Sequence, residues 1–306
     1  MSGITPILDE LLDGSKPVRV ASLAGLTGLD REEQAEFREA WGRVGVERRR
    51  DVIHDLIEMA EDNVELDFDA VYFVTLDDAD PSVRQDAIHG LWEYEARDLI
   101  APLIRLMDDD PDVDVRASAA IGLGRYVMLA EFERISDRDR DRVVGALRSA
   151  FGMQSNPLLV RARALEAVGA HGEPWVAGVI RAALASGEPR LEVSALHAMG
   201  RSAEPQWLPT LLACADDPDA EVRYEVALAL GEIGDQEALS GLMPLLEDGD
   251  VEVQEAAIDA LGKVGGPRAT EVLKELIGGD DARVRQAAQE ALAESELAND
   301  SFFPGV

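Results

Sequence analysis

Apolar positions along this chain follow two helical spacings that are joined by a short polar turn. In the segment 206–234, three leucines are spaced for one helical face, and four later residues have the spacing i, i+4, i+7 and i+8 of a second face: Leu208, Leu211 and Leu212, then Val222, Val226, Ala229 and Leu230. Asp216, Asp217 and Pro218 lie between the two faces and are typical of a turn that starts a helix. The segment therefore predicts a helical hairpin.

The hairpin pattern recurs with a period of 31 residues. The apolar residue that marks the second helix occurs in register at five positions: Val160, Leu191, Val222, Val253 and Val284. Seven residues after each marker stands Ala, and nine residues after it stands Gly in four of the five copies. Such a period predicts a solenoid, in which each unit buries its apolar face only against its neighbours, and we expect about 18 helices in nine hairpins.

A polar phrase accompanies the markers. It occurs as Asp80-Pro-Ser-Val83-Arg84, as Asp110-Pro-Asp-Val-Asp-Val115-Arg116 and as Asp281-Ala-Arg-Val284-Arg285. Together with the Ala and Leu-Gly positions that follow, it resembles the HEAT-repeat superfamily, specifically the bacterial HEAT-like repeats first associated with phycocyanobilin lyases (PBS lyases). The resemblance implies an all-α, right-handed α–α superhelix with the second helices on its concave face, and it implies protein binding far more often than catalysis.

Two segments break the register. Val115 and Val160 are 45 residues apart, and the excess lies near 125–155. There we expect an extended helix, and the polar run at 136–142 is interpreted as a solvated, self-paired loop before a new helix. Residues 1–65 are predicted to be an irregular helical N-terminal cap, 66–295 the repeats, and 296–306 a flexible C-terminal tail, all in one continuous solenoid.

The chain is strongly acidic, with 61 Asp and Glu against 29 Lys and Arg and a formal net charge of −32. This charge repels phosphate backbones and anionic membranes, so neither nucleic acid nor a membrane is expected as a partner. Solubility, a basic protein partner and a salt-adapted host all remain open as explanations. The single cysteine, Cys214, is predicted to be buried and unreactive, and with no recognisable signal peptide it favours a cytoplasmic protein.

The search for chemistry gives little. HEAT-like deoxyhypusine hydroxylases hold iron on His-Glu dipeptides, and none of the four histidines, at 54, 89, 171 and 197, is followed by Glu. The acidic run Asp108–Asp114 is similar to a calcium loop but lacks the central Gly and the distal Glu, so helix capping explains it better. We therefore expect no catalytic residue, metal or cofactor. An enzyme or enzyme accessory related to phycobilin lyases remains the alternative.

Two sets of polar residues stand out against the constant apolar frame. An arginine follows most markers and is expected to bond carboxylates of its own or the adjacent turn: Arg84, Arg116, Arg161, Arg223 and Arg285. The residue after the repeat glycine varies between copies, which fits either a recognition strip or solvated helix ends. The sequence predicts a monomeric scaffold that binds a protein along its concave face through Trp92, Tyr94, Arg125, Tyr126, Arg201, Glu232 and Lys263. Alternatively, the aromatic residues merely pack under the extended helix.

Overall fold

A computed structural model describes the backbone of residues 3–302 and the side chains of residues 3–297. Within that range the regular structure is entirely helical, and the helices alternate as hairpins of the α–α superhelix class, which confirms the predicted fold class. The described residues form 18 α-helices: α1 Thr5–Leu12, α2 Val20–Leu23, α3 Arg31–Trp41, α4 Val46–Asp62, α5 Asp69–Thr75, α6 Pro81–Gly90, α7 Ile100–Asp109, α8 Val113–Glu131, α9 Asp137–Gly152, α10 Leu158–Val168, α11 Pro174–Leu184, α12 Pro189–Ser202, α13 Leu208–Cys214, α14 Ala220–Ile233, α15 Leu239–Leu245, α16 Val251–Val264, α17 Gly266–Ile277 and α18 Ala282–Phe302.

The helices belong to two compact units, Met1–Arg163 and Ala164–Val306, whose boundary falls inside α10. In the first unit the odd-numbered helices α1, α3 and α5 form one layer, and the even-numbered helices α2, α4, α6 and α8 form a second layer. Successive helices pair across the layers, as α5 does with α6 and α7 with α8. The first 65 residues hold α1–α4, which continue both layers although α2 has only four residues. That the two units form one continuous solenoid stays a prediction.

The second unit has the more regular repeats. Its hairpins are α11 with α12, α13 with α14, α15 with α16 and α17 with α18. The even-numbered helices α12, α14, α16 and α18 pack side by side as the second-helix layer. Leu230 of α14 and Leu261 of α16 are completely buried, as expected for the inner face of a repeat. The core of this unit therefore runs along the line of repeats, between the two layers.

The recurring glycine stands where neighbouring second helices touch. A Cβ atom added to Gly200 would lie 2.8 Å from the Cα atom of Ala229, and one added to Gly231 would lie 2.8 Å from the Cβ atom of Ala260. Carbon atoms in ordinary contact are about 3.5–4.0 Å apart, so any side chain at these glycines would push the helices apart. The Gly of one copy and the Ala of the next together allow the close contact between neighbouring second helices.

Aspartates start several of the second helices, and in α14 the cap is Asp219, next to the predicted turn residues Asp216 and Asp217. The carboxylates of the capping aspartates accept hydrogen bonds from backbone N–H groups in the first turn of the following helix, at Asp80, Asp112, Asp219 and Asp250. Asp112 belongs to the run that is similar to a calcium loop, and its carboxylate caps α8. Helix capping therefore accounts for the aspartate that opens α8.

Two of the five arginines that follow a marker, Arg84 and Arg223, join the turns of adjacent repeats through carboxylates as predicted. Arg116, Arg161 and Arg285 instead donate to backbone carbonyl oxygens. The guanidinium group of Arg84 donates to both carboxylate oxygens of Asp110, at 2.7 and 2.8 Å, and to the carbonyl oxygen of Asp78 in its own turn at 2.7 Å. Arg223 makes the same bidentate contact with Asp248, at 2.7 and 2.9 Å. These fork-shaped pairs fix the distance between successive turns.

The excess between Val115 and Val160 is helical. It lengthens α8 to 19 residues and α9 to 16 residues. The interpretation of 136–142 as a loop is wrong, because residues from Asp137 onward are the first turns of α9. The Ser136 hydroxyl caps that helix by accepting the N–H of Asp139, and acidic residues in a first turn favour the positive end of the helix dipole.

The chain continues as α18 to Phe302, so residues 296–302 of the predicted tail are helical and residues 303–306 lie outside the described part. Across the described residues, every helix is too short or too polar to cross a membrane.

Candidate protein-binding surface

One repeat has a large side chain at the position where most copies have glycine. Helix α6 ends at Gly90 after 10 residues, whereas α12, α14 and α16 each have 14. The position nine residues after its marker, Val83, is occupied by Trp92 and lies beyond the end of the helix. Because the chain has left the helix before the point of close contact, a large side chain is tolerated there. Trp92 is 62% exposed.

A groove lies beside Trp92, between α6 and α8. Its walls are mostly apolar and include Ile88 of α6 and Ile121 and Gly122 of α8. Ile121 is itself 51% exposed. We call the surface formed by Ile88, Trp92, Ile121, Gly122 and Arg125 the Trp92 groove. Large apolar side chains that lie next to each other and are exposed, as Trp92 and Ile121 are, are typical of an interaction site.

Arg125 of α8 holds Trp92 in place. Its guanidinium carbon lies 5.2 Å from the centroid of the indole ring, a cation–π contact. The same guanidinium bonds the carboxylate of Glu95 at 2.8 Å, and Arg134 binds that carboxylate as well. The side chain of Arg125 is only 24% exposed, so it orders the loop and leaves one face of the indole to solvent.

Tyr126 and Tyr94 lie beside this groove but are largely covered. Tyr126 is 1% exposed, and its hydroxyl donates to the carbonyl oxygens of Tyr94 and Ala96, at 3.1 and 2.9 Å. Its predicted role as a contact residue is corrected here: it supports the 91–96 loop from below, because a phenol at this helical position faces the core. Tyr94 is half-buried, its ring packs edge-on against Phe73, and burial and then its bond to Asp98 raise its pKa to about 12.

The remaining predicted contact residues belong to the second unit. Arg201, Glu232 and Lys263 are all exposed and occupy equivalent positions at the ends of α12, α14 and α16. Lys263 forms ion pairs with Glu232 at 2.8 Å and with Asp259 at 3.2 Å. Two of the three thus partner each other across neighbouring repeats, which is the geometry of a solvated surface pair worth little on its own.

Groups that could support chemistry are scattered. No three His, Cys, Asp or Glu side chains converge as metal ligands among the described residues. Cys214 is half-buried rather than fully buried as predicted, and burial raises the pKa of its thiol. The imidazole of His197 lies 3.2 Å from the carboxylate of Glu225, and this hydrogen bond raises the pKa of His197.

Comparison with known proteins identifies the family. The chain matches the HEAT repeats family over residues 73–150 and 208–293, more than half of its length. The chain therefore belongs to the HEAT-repeat family. The narrower resemblance to PBS-lyase repeats stays a prediction, and no curated protein matches the chain.

Several solved structures are similar to this chain. An engineered protein is 23% identical, with a TM-score of 0.41 over 64% of this chain and 96% of its own. Human deoxyhypusine hydroxylase is 22% identical, with a TM-score of 0.36 over 85% of this chain and 95% of its own. The karyopherin Kap121p, solved bound to the SUMO protease Ulp1p, is 14% identical with a TM-score of 0.51, and the match covers 95% of this chain but 37% of the karyopherin. The likeness to Kap121p shows the fold alone.

Proposed function

We propose that this chain is a non-enzymatic HEAT-repeat scaffold that binds another protein through its second-helix layer, the layer that the family resemblance makes concave. The observation that carries the proposal is Trp92, which stands 62% exposed at the position where the repeat frame has glycine. A HEAT-type neighbour, the karyopherin Kap121p, is itself solved in a complex with a protein. That complex supports protein binding by such scaffolds in general.

Stacking consumes the apolar markers, so recognition depends on side chains that the stacked helices leave outside. Trp and Arg dominate the binding energy of protein interfaces, and a rigid indole gains contact area with little loss of side-chain entropy. Trp92 is already oriented by Arg125, so little ordering remains when a partner covers the Trp92 groove.

The proposal extends to the class of partner and to the setting. The net charge of −32 supports a protein partner rather than nucleic acid or an anionic membrane. The single cysteine, which has no second cysteine with which to form an intrachain disulfide, supports a reducing compartment such as the cytoplasm. A monomeric chain is proposed because an acidic surface keeps copies of a solenoid apart.

The test is capture of partners from a lysate of the native organism by the immobilised chain. Trp92→Ala should weaken capture at least about tenfold, or roughly 1.4 kcal/mol. Phe132→Ala is the matched control, because Phe132 is 68% exposed in the same unit and lies outside the groove. Both variants should keep the helical circular dichroism of the parent chain. Equal capture by the parent, Trp92→Ala and Ile121→Ala would contradict the proposal.

A further inference from the structure

A second groove, on the other side of Trp92, contains a buried hydroxyl group without a partner. It lies where the C-terminal ends of α4 and α6 meet the start of α5. Tyr72 of α5 lines it, is 2% exposed, and its hydroxyl has no hydrogen-bond partner among the described residues. A buried polar group of this kind costs about 1–3 kcal/mol when it stays unpaired, so its presence calls for an explanation.

The repeat frame provides none, because the corresponding residues in the copies of the second unit are aliphatic. Eleven residues before their markers, these copies place Ile180, Leu211, Leu242 and Leu273, all essentially buried. Tyr72 stands eleven residues before Val83. Gly90, seven residues after that marker, stands where the copies from Val160 onward have Ala, and a Cβ atom there would lie 2.5 Å from the Cζ atom of Tyr72. The absence of a Cβ atom at Gly90 thus makes room for the Tyr72 ring.

The surroundings of the hydroxyl are negatively charged. Glu61, Asp67, Asp69 and Glu93 line the same groove, and within residues 3–297 none of these four carboxylates has a Lys or Arg in an ion pair. Burial, and after it the charge of Asp67, raises the pKa of Asp69 to about 6, as expected for a half-buried carboxylate that lacks a cation. The C-terminal ends of α4 and α6 add the partial negative charge of their carbonyl groups.

We propose that this groove, called the Tyr72 groove and formed by Glu61, Asp67, Asp69, Tyr72 and Glu93, binds the Lys or Arg side chain of a basic segment in the protein partner. The inference rests on the proposed function, since the segment belongs to the partner that covers Trp92. An ammonium or guanidinium group supplies the N–H donors that the Tyr72 oxygen and the Asp69 carboxylate can accept. The stem of such a side chain would run along Trp92, which borders both grooves.

The test uses defined peptides and needs no knowledge of the partner. The probes are acetyl-Ala-Arg-Ala-amide and acetyl-Ala-Lys-Ala-amide, with acetyl-Ala-Gln-Ala-amide as the neutral control. The readout is the NMR signal of ¹³C-labelled tyrosine, of which the chain has four, assigned by loss of one signal in Tyr72→Phe. The Arg and Lys peptides should shift the Tyr72 signal saturably in the low-millimolar range, roughly that of a 4 kcal/mol interaction, and the Gln peptide should not.

Two variants separate this site from general attraction to an acidic surface. Asp69→Asn should weaken binding of the Arg peptide at least about fivefold, or about 1 kcal/mol. Glu247→Gln, which removes one exposed carboxylate in the other unit, should leave that binding unchanged. Tyr72→Phe should weaken binding of the Arg peptide and leave the fold at least as stable. In this variant, binding is monitored through the amide NMR signals of residues 67–69. An unmoved Tyr72 signal, or equal loss in Asp69→Asn and Glu247→Gln, would overturn the inference. Either result leaves the Trp92 capture experiment, and with it the proposed function, to be judged separately.

Discussion

Replacing Gly231 by Ala tests whether contact between second helices sets the repeat. The new Cβ atom would lie 2.8 Å from the Cβ atom of Ala260 and 2.9 Å from its Cα atom. Because ordinary carbon contacts begin near 3.5 Å, α14 and α16 would have to separate by about 0.7 Å. The obstacle is backbone and a methyl group, neither of which can rotate away, so overpacking of about 1–3 kcal/mol is expected.

A second effect opposes this cost and must be removed by a control. Ala is a better helix former than Gly by roughly 0.5–1 kcal/mol, so the net loss in Gly231→Ala alone understates the steric strain. Gly178 lies inside α11 of the same unit and has no atom within 4 Å of an added Cβ. Gly178→Ala should therefore gain roughly 0.5–1 kcal/mol. The difference between the two variants isolates the steric contribution, about 1–3 kcal/mol.

The assay is urea unfolding followed by far-UV circular dichroism, with hydrogen exchange to locate the change. Since the chain has two units, unfolding need not be two-state, and exchange at residues 220–264 is the more direct measure. Gly231→Ala should raise exchange there and leave residues 46–90 unchanged, because repeats couple only to neighbours. If Gly231→Ala were as stable as Gly178→Ala, the recurring glycine would need another explanation than close packing.

Two further predictions concern charged groups. Arg84→Ala should lower the free energy of unfolding by roughly 3–5 kcal/mol, because it leaves the Asp110 carboxylate, whose side chain is 4% exposed, without its partner. Arg285→Ala loses a single hydrogen bond to the Gly279 carbonyl and should cost far less. Equal losses of the two variants in urea unfolding would refute the reasoning from the buried pair. The hydrogen bond to Glu225 raises the pKa of His197, so the stability from this pair is fully present below the unfolded pKa of about 6.5 and is lost as pH rises through the folded pKa. His197→Gln should therefore lower the free energy of unfolding more at pH 6 than at pH 8. The reverse order would show that the His197–Glu225 pair does not hold the proton.

The frame of the fold could be predicted from sequence because it depends on residues that recur. Apolar spacing fixes the face of each helix, and the pairing of Gly231 with Ala260 has the same offset in every later copy. The loop interpretation of 136–142 failed for a local reason. Alternating Arg and Asp looks like solvated coil, yet a Ser cap and first-turn carboxylates are also favourable for a helix start.

The candidate site was only partly predictable. Trp92 was selected as an aromatic residue, but the stronger reason lies in the register, since it occupies the glycine position of its copy. Tyr126 was selected on the same ground and proved to be buried, because sequence alone does not tell which side of α8 faces the 91–96 loop. Tyr72 was missed, although aligning the copies eleven residues before their markers would have revealed a Tyr where the copies of the second unit have Leu or Ile.

Several departures from the frame fall together in one hairpin, α5 with α6. There the second helix is short, Trp92 stands where most copies have Gly, Tyr72 where the second unit has Leu or Ile, and Gly90 where the second unit has Ala. A solenoid can accept such a cluster because each repeat needs to match only its two neighbours, so one copy can be altered while the others keep their packing. Each change gives up something that stacking would favour: a close helix contact, an apolar core residue, or a good helix former. Departures from the repeat pattern that occur together and bring no gain in packing are expected where a surface serves recognition rather than stability. We therefore place the partner at the two grooves that flank Trp92.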